Sequence, residues 1–177
     1  QNEFLTSENK RLRGLLDESI NSQEIFARVL IDKDSPYLKS VVLNKGTKDK
    51  VKIGMAVIDG AYLVGQIIEV NYTNSRALLL SDLNSKIPSV LAPNDVQTVV
   101  SGTGKNYGII EHTQYVSKKD INEKERVVYT SGLGGLFKPG IPIGKMNISS
   151  NGVVNFFSDF TQLSYVKIVS YKSGGEE

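Results

Sequence analysis

The residues best suited to chemistry are one serine, one histidine and a glycine-rich loop. Ser131 is followed directly by Gly132, and Gly134 and Gly135 stand close behind. A serine beside flexible backbone can act as a nucleophile whose oxyanion is held by main-chain N–H groups, provided that a base and an acid are within reach. The only histidine of the chain is His112. Together these residues define one catalytic hypothesis, a trypsin-like serine hydrolase.

The local pattern argues against this hydrolase. The nucleophile elbow of many serine hydrolases has a glycine two positions before the serine, whereas Tyr129 stands there in this chain. A single histidine at the end of a predicted strand is more often a surface or packing residue than a base. We therefore interpret the loop as a structural turn of a β-protein, in which glycine permits sharp bends and proline presets the backbone. The residues assigned to this turn are Gly132, Gly134, Gly135, Pro139 and Gly140.

Metal, nucleotide and nucleic-acid sites are not predicted. The chain has no cysteine and one histidine, and its carboxylates are not clustered, so no zinc or calcium site is indicated. The segment Gly102–Lys105 ends like a phosphate-binding loop but lacks the first glycine at the required spacing. The net charge is only +2, and the basic residues are scattered, so nucleic acid is not an expected partner. We expect no cofactor and no enzymatic activity.

The elements that position these residues are predicted to be β-strands. Short runs of apolar and β-branched residues recur about every 8–12 residues between turn-forming residues, which is typical of a sandwich or barrel. The predicted strand Tyr62–Val70 contains Gly65, which indicates a bulge or a sharp bend. Val127–Tyr129 and Ile141–Ile148 are predicted strands on either side of the glycine-rich loop. The fold class is therefore mainly β.

Residues 1–20 differ from the rest and predict an α-helix. Leu5, Leu12, Leu15 and Leu16 form an apolar stripe at helical spacing. An isolated helix of this length is marginal in water, so the stripe needs a partner. The helix is either the C-terminal end of a coiled coil that self-associates or a helix that docks onto its own body. If it self-associates, these four leucines are the expected contact residues.

Five short motifs follow one another along the chain. They are Glu8–Leu16, Asn44–Gly46 with Val51–Val57, Leu63–Ile67, Leu79–Asp82 and Thr130–Gly144. In this order they resemble the family of the bacterial rod-shape-determining protein MreC, and the likeness extends from Glu8 to Val169. One departure is Phe137–Gly140, where the family more often has proline directly after phenylalanine, so the local turn geometry is expected to differ.

The resemblance implies a particular architecture. Proteins of this family have a short cytoplasmic tail, one membrane helix, a coiled coil and an extracytoplasmic body of two β-barrels arranged as in chymotrypsin, without working catalytic residues. Residues 1–20 would be the end of the coiled coil, and residues 21–177 the body. The two barrels would be interleaved along the chain, the first comprising mainly residues 25–95 and the second mainly residues 96–170, followed by a flexible tail at 172–177. The membrane anchor, expected in the full-length protein, is absent from this sequence.

The resemblance also implies a function. The chain would be a non-catalytic scaffold of the cell-elongation machinery, placed in the periplasm or, in a Gram-positive organism, outside the membrane. It would form dimers or larger homo-oligomers and bind the elongation-specific penicillin-binding transpeptidase, with MreD and actin-like MreB as partners of the full-length protein. The serine hydrolase is the alternative, and a glycan-binding barrel is a third class, suggested only by the tyrosines.

Partner contacts are predicted on the strands of the first barrel, since strand edges and apolar patches of β-scaffolds commonly bind other proteins. The residues chosen for this role are Val41, Leu43, Val57, Tyr62, Val64 and Ile67.

Overall fold

A computed structural model of the protein describes residues 2–19, 23–30, 39–92, 95–111, 125–133, 138–147 and 152–170. Within these residues the chain forms one α-helix, one short 3-10 helix and twelve β-strands. The helices are α1 Asn2–Ser19 and the 3-10 helix Thr47–Asp49. The strands are β1 Glu24–Leu30, β2 Ser40–Leu43, β3 Ala56–Asp59, β4 Tyr62–Val70, β5 Ser75–Leu79, β6 Lys86–Leu91, β7 Val96–Gly102, β8 Tyr107–Glu111, β9 Glu125–Thr130, β10 Pro142–Asn147, β11 Val153–Phe156 and β12 Tyr165–Val169.

The strands close into two six-stranded antiparallel barrels. The first has the strand order β1-β12-β3-β4-β5-β2, and the second has the order β10-β11-β8-β7-β6-β9. Closing a short sheet on itself pairs both of its edges and points alternate side chains into one interior. The predicted fold class, a mainly β body of two barrels preceded by a helix, is confirmed.

The two barrels share the chain in an interleaved way, and the chain passes from the first to the second between β5 and β6. Strand β6 lies before residue 96 but pairs with β7 and β9 in the second barrel. Strand β12 lies near the end of the described chain but pairs with β1 and β3 in the first barrel. The second barrel is thus inserted between β5 and β12, and the end of the chain returns to close the first. Residues 172–177, the expected tail, lie outside the described residues.

Strand β4 contains the irregularity that Gly65 predicts. Val57 of β3 pairs with Gly65, but the next residue of β3, Ile58, pairs with Leu63, which leaves one extra residue on β4. This is a β-bulge, and it bends the strand. A Cβ atom at Gly65 would lie 2.0 Å from the carbonyl oxygen of Leu78. Glycine therefore allows β4 to approach the backbone of β5 closely.

One apolar core joins the two barrels. Ile58 and Leu63 of the first barrel pack in the same buried cluster as Ile87 and Ile143 of the second. A separate cluster fills the interior of the first barrel. Phe160, in the segment between β11 and β12, packs against both clusters. Buried apolar packing therefore holds the barrels against each other.

Candidate functional site

The turn between β9 and β10 is organised around Thr130. The main-chain N–H of Thr130 donates to the carbonyl of Ile141 at 2.9 Å, and its carbonyl accepts the N–H of Gly140 at 2.9 Å. Its hydroxyl donates to the carbonyl of Lys138 at 2.7 Å and accepts the N–H of Ile141 at 3.0 Å. Thr130 is buried. Each of its polar groups is therefore used to close the turn.

Two glycines of the turn have backbone conformations that favour glycine. Gly132 has a φ of +75° and Gly140 a φ of +82°. A Cβ atom at Gly132 would lie 3.0 Å from the Cβ of Pro139. These residues thus lie in a tight turn whose conformation suits a structural role. Gly134 and Gly135 lie outside the described residues.

A Gly132→Ala variant is expected to lose about 1–2 kcal/mol of unfolding free energy, because a left-handed residue with a side chain is strained. The close approach to Pro139 adds to this loss. Urea unfolding followed by far-UV circular dichroism measures the effect. Gly60→Ala is a matched control, because Gly60 has a φ of +61° but nothing within 4 Å of its added Cβ. Equal losses in the two variants would show that the contact with Pro139 contributes nothing.

Ser131 has a local structural role. Its Oγ accepts the N–H of Leu133 at 3.2 Å, and its own N–H donates to the carbonyl of Pro88 at 3.1 Å. The second bond ties the turn to β6. His112, the base of the hydrolase hypothesis, lies outside the described residues. Among the residues that the structure describes, no cluster of His, Cys, Asp and Glu could hold a metal ion.

Helix α1 contacts the second barrel through Arg11. The guanidinium carbon of Arg11 lies 4.9 Å from the ring centroid of Tyr129 on β9, and its Nε donates to Glu8 at 3.1 Å. The hydrogen bond from Arg11 lowers the pKa of Glu8, whereas burial raises the pKa of Tyr129 and the Arg11 charge partly opposes that rise. Arg11 and Tyr129 are both half-buried, and a cation over an aromatic face contributes from about 0.5 kcal/mol at an exposed site to about 2 kcal/mol when desolvated. Among the described side chains, Arg11 thus attaches the helix to the body by a polar contact.

The apolar stripe of α1 is exposed where its side chains are described. Leu5 and Leu12 are both exposed, although Arg11 on the same helix contacts the barrel. Nothing is described of the side chains of Leu15 and Leu16. The helix therefore contacts its own body through Arg11 while Leu5 and Leu12 remain exposed. Self-association through the leucine stripe stays a prediction.

The six residues predicted to bind a partner fall into a buried group and a surface group. Leu43, Val57 and Val64 are fully buried, and Ile67 is 1% exposed. All four pack inside the first barrel, so the prediction that they contact a partner is wrong. The physical reason is that strands of a small barrel point their apolar side chains inward to fill it.

The other two predicted contact residues reach the surface. Val41 is half-buried, and Tyr62 is exposed. The ring of Tyr62 packs against Phe157, with 4.9 Å between the ring centroids. A role of these two residues in partner binding stays a prediction.

A different surface of the first barrel carries exposed apolar residues that the sequence reasoning missed. Phe26 and Leu30 on β1 are 70% and 40% exposed, and Tyr165 on β12 is 71% exposed. Tyr165 lies opposite Arg28, which is on the same outward face of β1. We call Phe26, Arg28, Leu30 and Tyr165 the β1–β12 surface. The sequence contains a signal for this surface. Glu24, Phe26, Arg28 and Leu30 are spaced two residues apart, so the two apolar side chains lie on the same face of the strand as the two charged ones.

The sequence and fold match one family. Residues 29–170 match the family described as "Rod shape-determining protein MreC, barrel core". The cell shape-determining protein MreC of Haemophilus influenzae is 37% identical over 161 residues, which cover 87% of this chain and 44% of the relative. The chain therefore spans less than half the length of that curated relative.

Solved structures share the fold. MreC of Listeria monocytogenes has a TM-score of 0.76 and 24% identity, covering 98% of this chain and 89% of the other. MreC from Helicobacter pylori, solved as a complex with the penicillin-binding protein PBP2, has a TM-score of 0.59 and 14% identity. That match covers 82% of this chain and 98% of the other.

The names of the curated relatives describe a structural role in cell shape and not an enzymatic one. The structure has two closed barrels of six strands, and the match to the family's barrel core covers most of both. The chain belongs to the MreC family of rod shape-determining proteins.

Proposed function

We propose that this chain is the extracytoplasmic part of a non-catalytic scaffold of the cell-elongation machinery. The observation that carries the proposal is the family match over residues 29–170, whose curated relatives are named as cell shape-determining proteins. A scaffold acts by holding other proteins in place, so its functional residues are surface side chains and not a catalytic constellation. The exposed apolar residues of the first barrel and of α1 supply such surfaces.

The partner we propose is the elongation-specific penicillin-binding transpeptidase. The support is that the MreC of Helicobacter pylori forms a complex with a penicillin-binding protein, and that this chain has the same fold. MreD and actin-like MreB are proposed as partners of the full-length protein. Within the described part of the chain, no helix has both the length and the apolar character needed to cross a bilayer. A single-pass anchor elsewhere in the full-length protein, with this domain in the periplasm or on the outer side of a Gram-positive membrane, completes the proposal.

Binding of this chain to the extracytoplasmic part of the transpeptidase from the same organism tests the proposal. We expect saturable binding by biolayer interferometry and rounded cells in a strain that lacks the gene. Absence of binding, together with normal rod shape in that strain, would contradict the scaffold function.

We further propose that the chain self-associates through the apolar stripe of α1. Leu12→Asp places a charge on this stripe, which opposes apolar pairing between helices. We expect the variant to shift toward the monomer in light scattering, with an unchanged melting temperature because Leu12 is exposed. Lys10→Asp, at an exposed position of the same helix, changes the charge more than Leu12→Asp does, and as a control it should still keep the wild-type mass. An unchanged mass for Leu12→Asp would count against the stripe.

A further inference from the structure

The β1–β12 surface has the composition of a protein-binding hot spot. Tyr165 lies directly opposite Arg28 in the antiparallel pair, and Phe26 and Leu30 lie two residues to either side of Arg28 on the same outward face. Diagonal neighbours across such a pair are about 7–8 Å apart, so Phe26, Leu30 and Tyr165 are the nearest neighbours of Arg28 on this face. Aromatic residues and arginine are the side chains most enriched at the centres of protein interfaces.

The two aromatic rings of this surface, Phe26 and Tyr165, are exposed. Tyr62, which is also exposed, packs its ring on Phe157. In the described residues, the rings of Phe26 and Tyr165 make no such aromatic contact, and both remain about 70% exposed. Outward positions of a barrel strand usually carry polar side chains when they face water. Two large exposed rings on adjacent strands therefore indicate a surface that is covered in the assembled state.

Arg28 has no counterion among the residues that the structure describes. Lys167 and Glu24 pair at 3.8 Å, and Arg76 and Glu69 pair at 3.7 Å. Among the described residues, Arg28 forms no ion pair, although the other cations nearby do. A guanidinium group held among apolar side chains is suited to bind a carboxylate through two parallel hydrogen bonds. The complementary surface must therefore carry an acidic group surrounded by apolar ones.

A second copy of this chain fits this surface poorly when the two identical patches face each other in a symmetric dimer. In a symmetric dimer the same patch meets itself, so the two Arg28 groups would approach each other near the symmetry axis. Like charges that are brought together and desolvated repel each other. A different protein with a carboxylate at the matching position avoids this repulsion.

We infer that the β1–β12 surface docks the penicillin-binding transpeptidase, through an apolar face of that enzyme that carries a carboxylate. This inference rests on the proposed function and adds to it the location and chemistry of the contact. Phe26, Leu30 and Tyr165 provide the apolar contact area. Arg28 provides the charge that fixes the orientation of the partner.

Truncation and charge reversal on this surface test the assignment. Tyr165→Ala and Phe26→Ala are expected to weaken binding of the transpeptidase ectodomain about 30-fold, as hot-spot truncations do, and Arg28→Glu at least as strongly. Leu83→Ala is the matched control, because Leu83 is also 70% exposed but lies in the loop between β5 and β6. It should change the dissociation constant less than about twofold. Because all of these side chains are exposed, melting temperatures should stay near that of the wild type.

The possible outcomes test the assignment of this surface separately from the proposed function. Wild-type binding that persists in Tyr165→Ala, Phe26→Ala and Arg28→Glu would overturn the assignment of the surface and leave the proposed function in place. No binding by the unsubstituted chain would overturn both. Loss of self-association in light scattering, with unchanged binding of the enzyme, would assign the surface to a second copy and also overturn the inference.

Discussion

A Gly65→Ala variant is expected to lose about 3 kcal/mol of unfolding free energy, the upper end of the range for adding a methyl group to a packed interior. Gly65 pairs with Val57 on one side and with Leu79 on the other, so it lies in the middle of the first barrel. Its added Cβ would lie 2.0 Å from the carbonyl oxygen of Leu78. This neighbour is backbone, which cannot rotate away as a side chain can. The clash is relieved only by moving β4 away from β5.

Urea unfolding followed by far-UV circular dichroism measures this loss. Gln66→Ala is the matched control, since Gln66 is the next residue of β4 and is only half-buried. We expect the control to lose less than about 1 kcal/mol. Wild-type stability in Gly65→Ala would show that the two strands can separate without loss of packing.

A Leu63→Ala variant is expected to lose about 3–5 kcal/mol, the upper part of the range for removing a fully buried leucine. Leu63 is fully buried in the cluster that includes residues of both barrels. The cavity would therefore open at the junction of the barrels and not within one of them. We expect faster amide hydrogen exchange in both barrels, and a single unfolding transition at lower urea concentration.

Leu83→Ala removes the same atoms from an exposed leucine and should change stability by less than about 0.5 kcal/mol. Two separate unfolding transitions in Leu63→Ala would show that the barrels do not depend on their shared core. Faster exchange confined to the first barrel would show the same.

The proposed scaffold function and the buried junction are physically related. A protein that holds an enzyme at one surface and a second copy at another must keep these surfaces in a constant orientation. The apolar core shared by the barrels, with Phe160 packed against both of its clusters, supplies that constraint. The contact of Arg11 with Tyr129 is weaker than such a core and orients the described part of α1 through one polar pair.

Much of the local structure follows from the sequence by itself. The alternation and spacing of apolar runs predict a mainly β body, and the leucine stripe predicts the helix, because these periods are properties of consecutive residues. Gly65 marks the bulge, since only a residue without a side chain allows the close approach to β5. The ordered motifs identify the family, and the pattern around Ser131 argues against a hydrolase.

Only the tertiary structure decided which strands pair and which faces remain exposed. The pairing of β1 with β12 joins the two ends of the body, and no local pattern encodes a partner so distant in sequence. Apolar residues occur on both faces of the strands, so alternation alone could not show that Val57 points inward while Phe26 points outward. Barrel closure decides which face is buried. The side chains on one face of each strand fill the interior, and those on the other face remain for solvent or a partner.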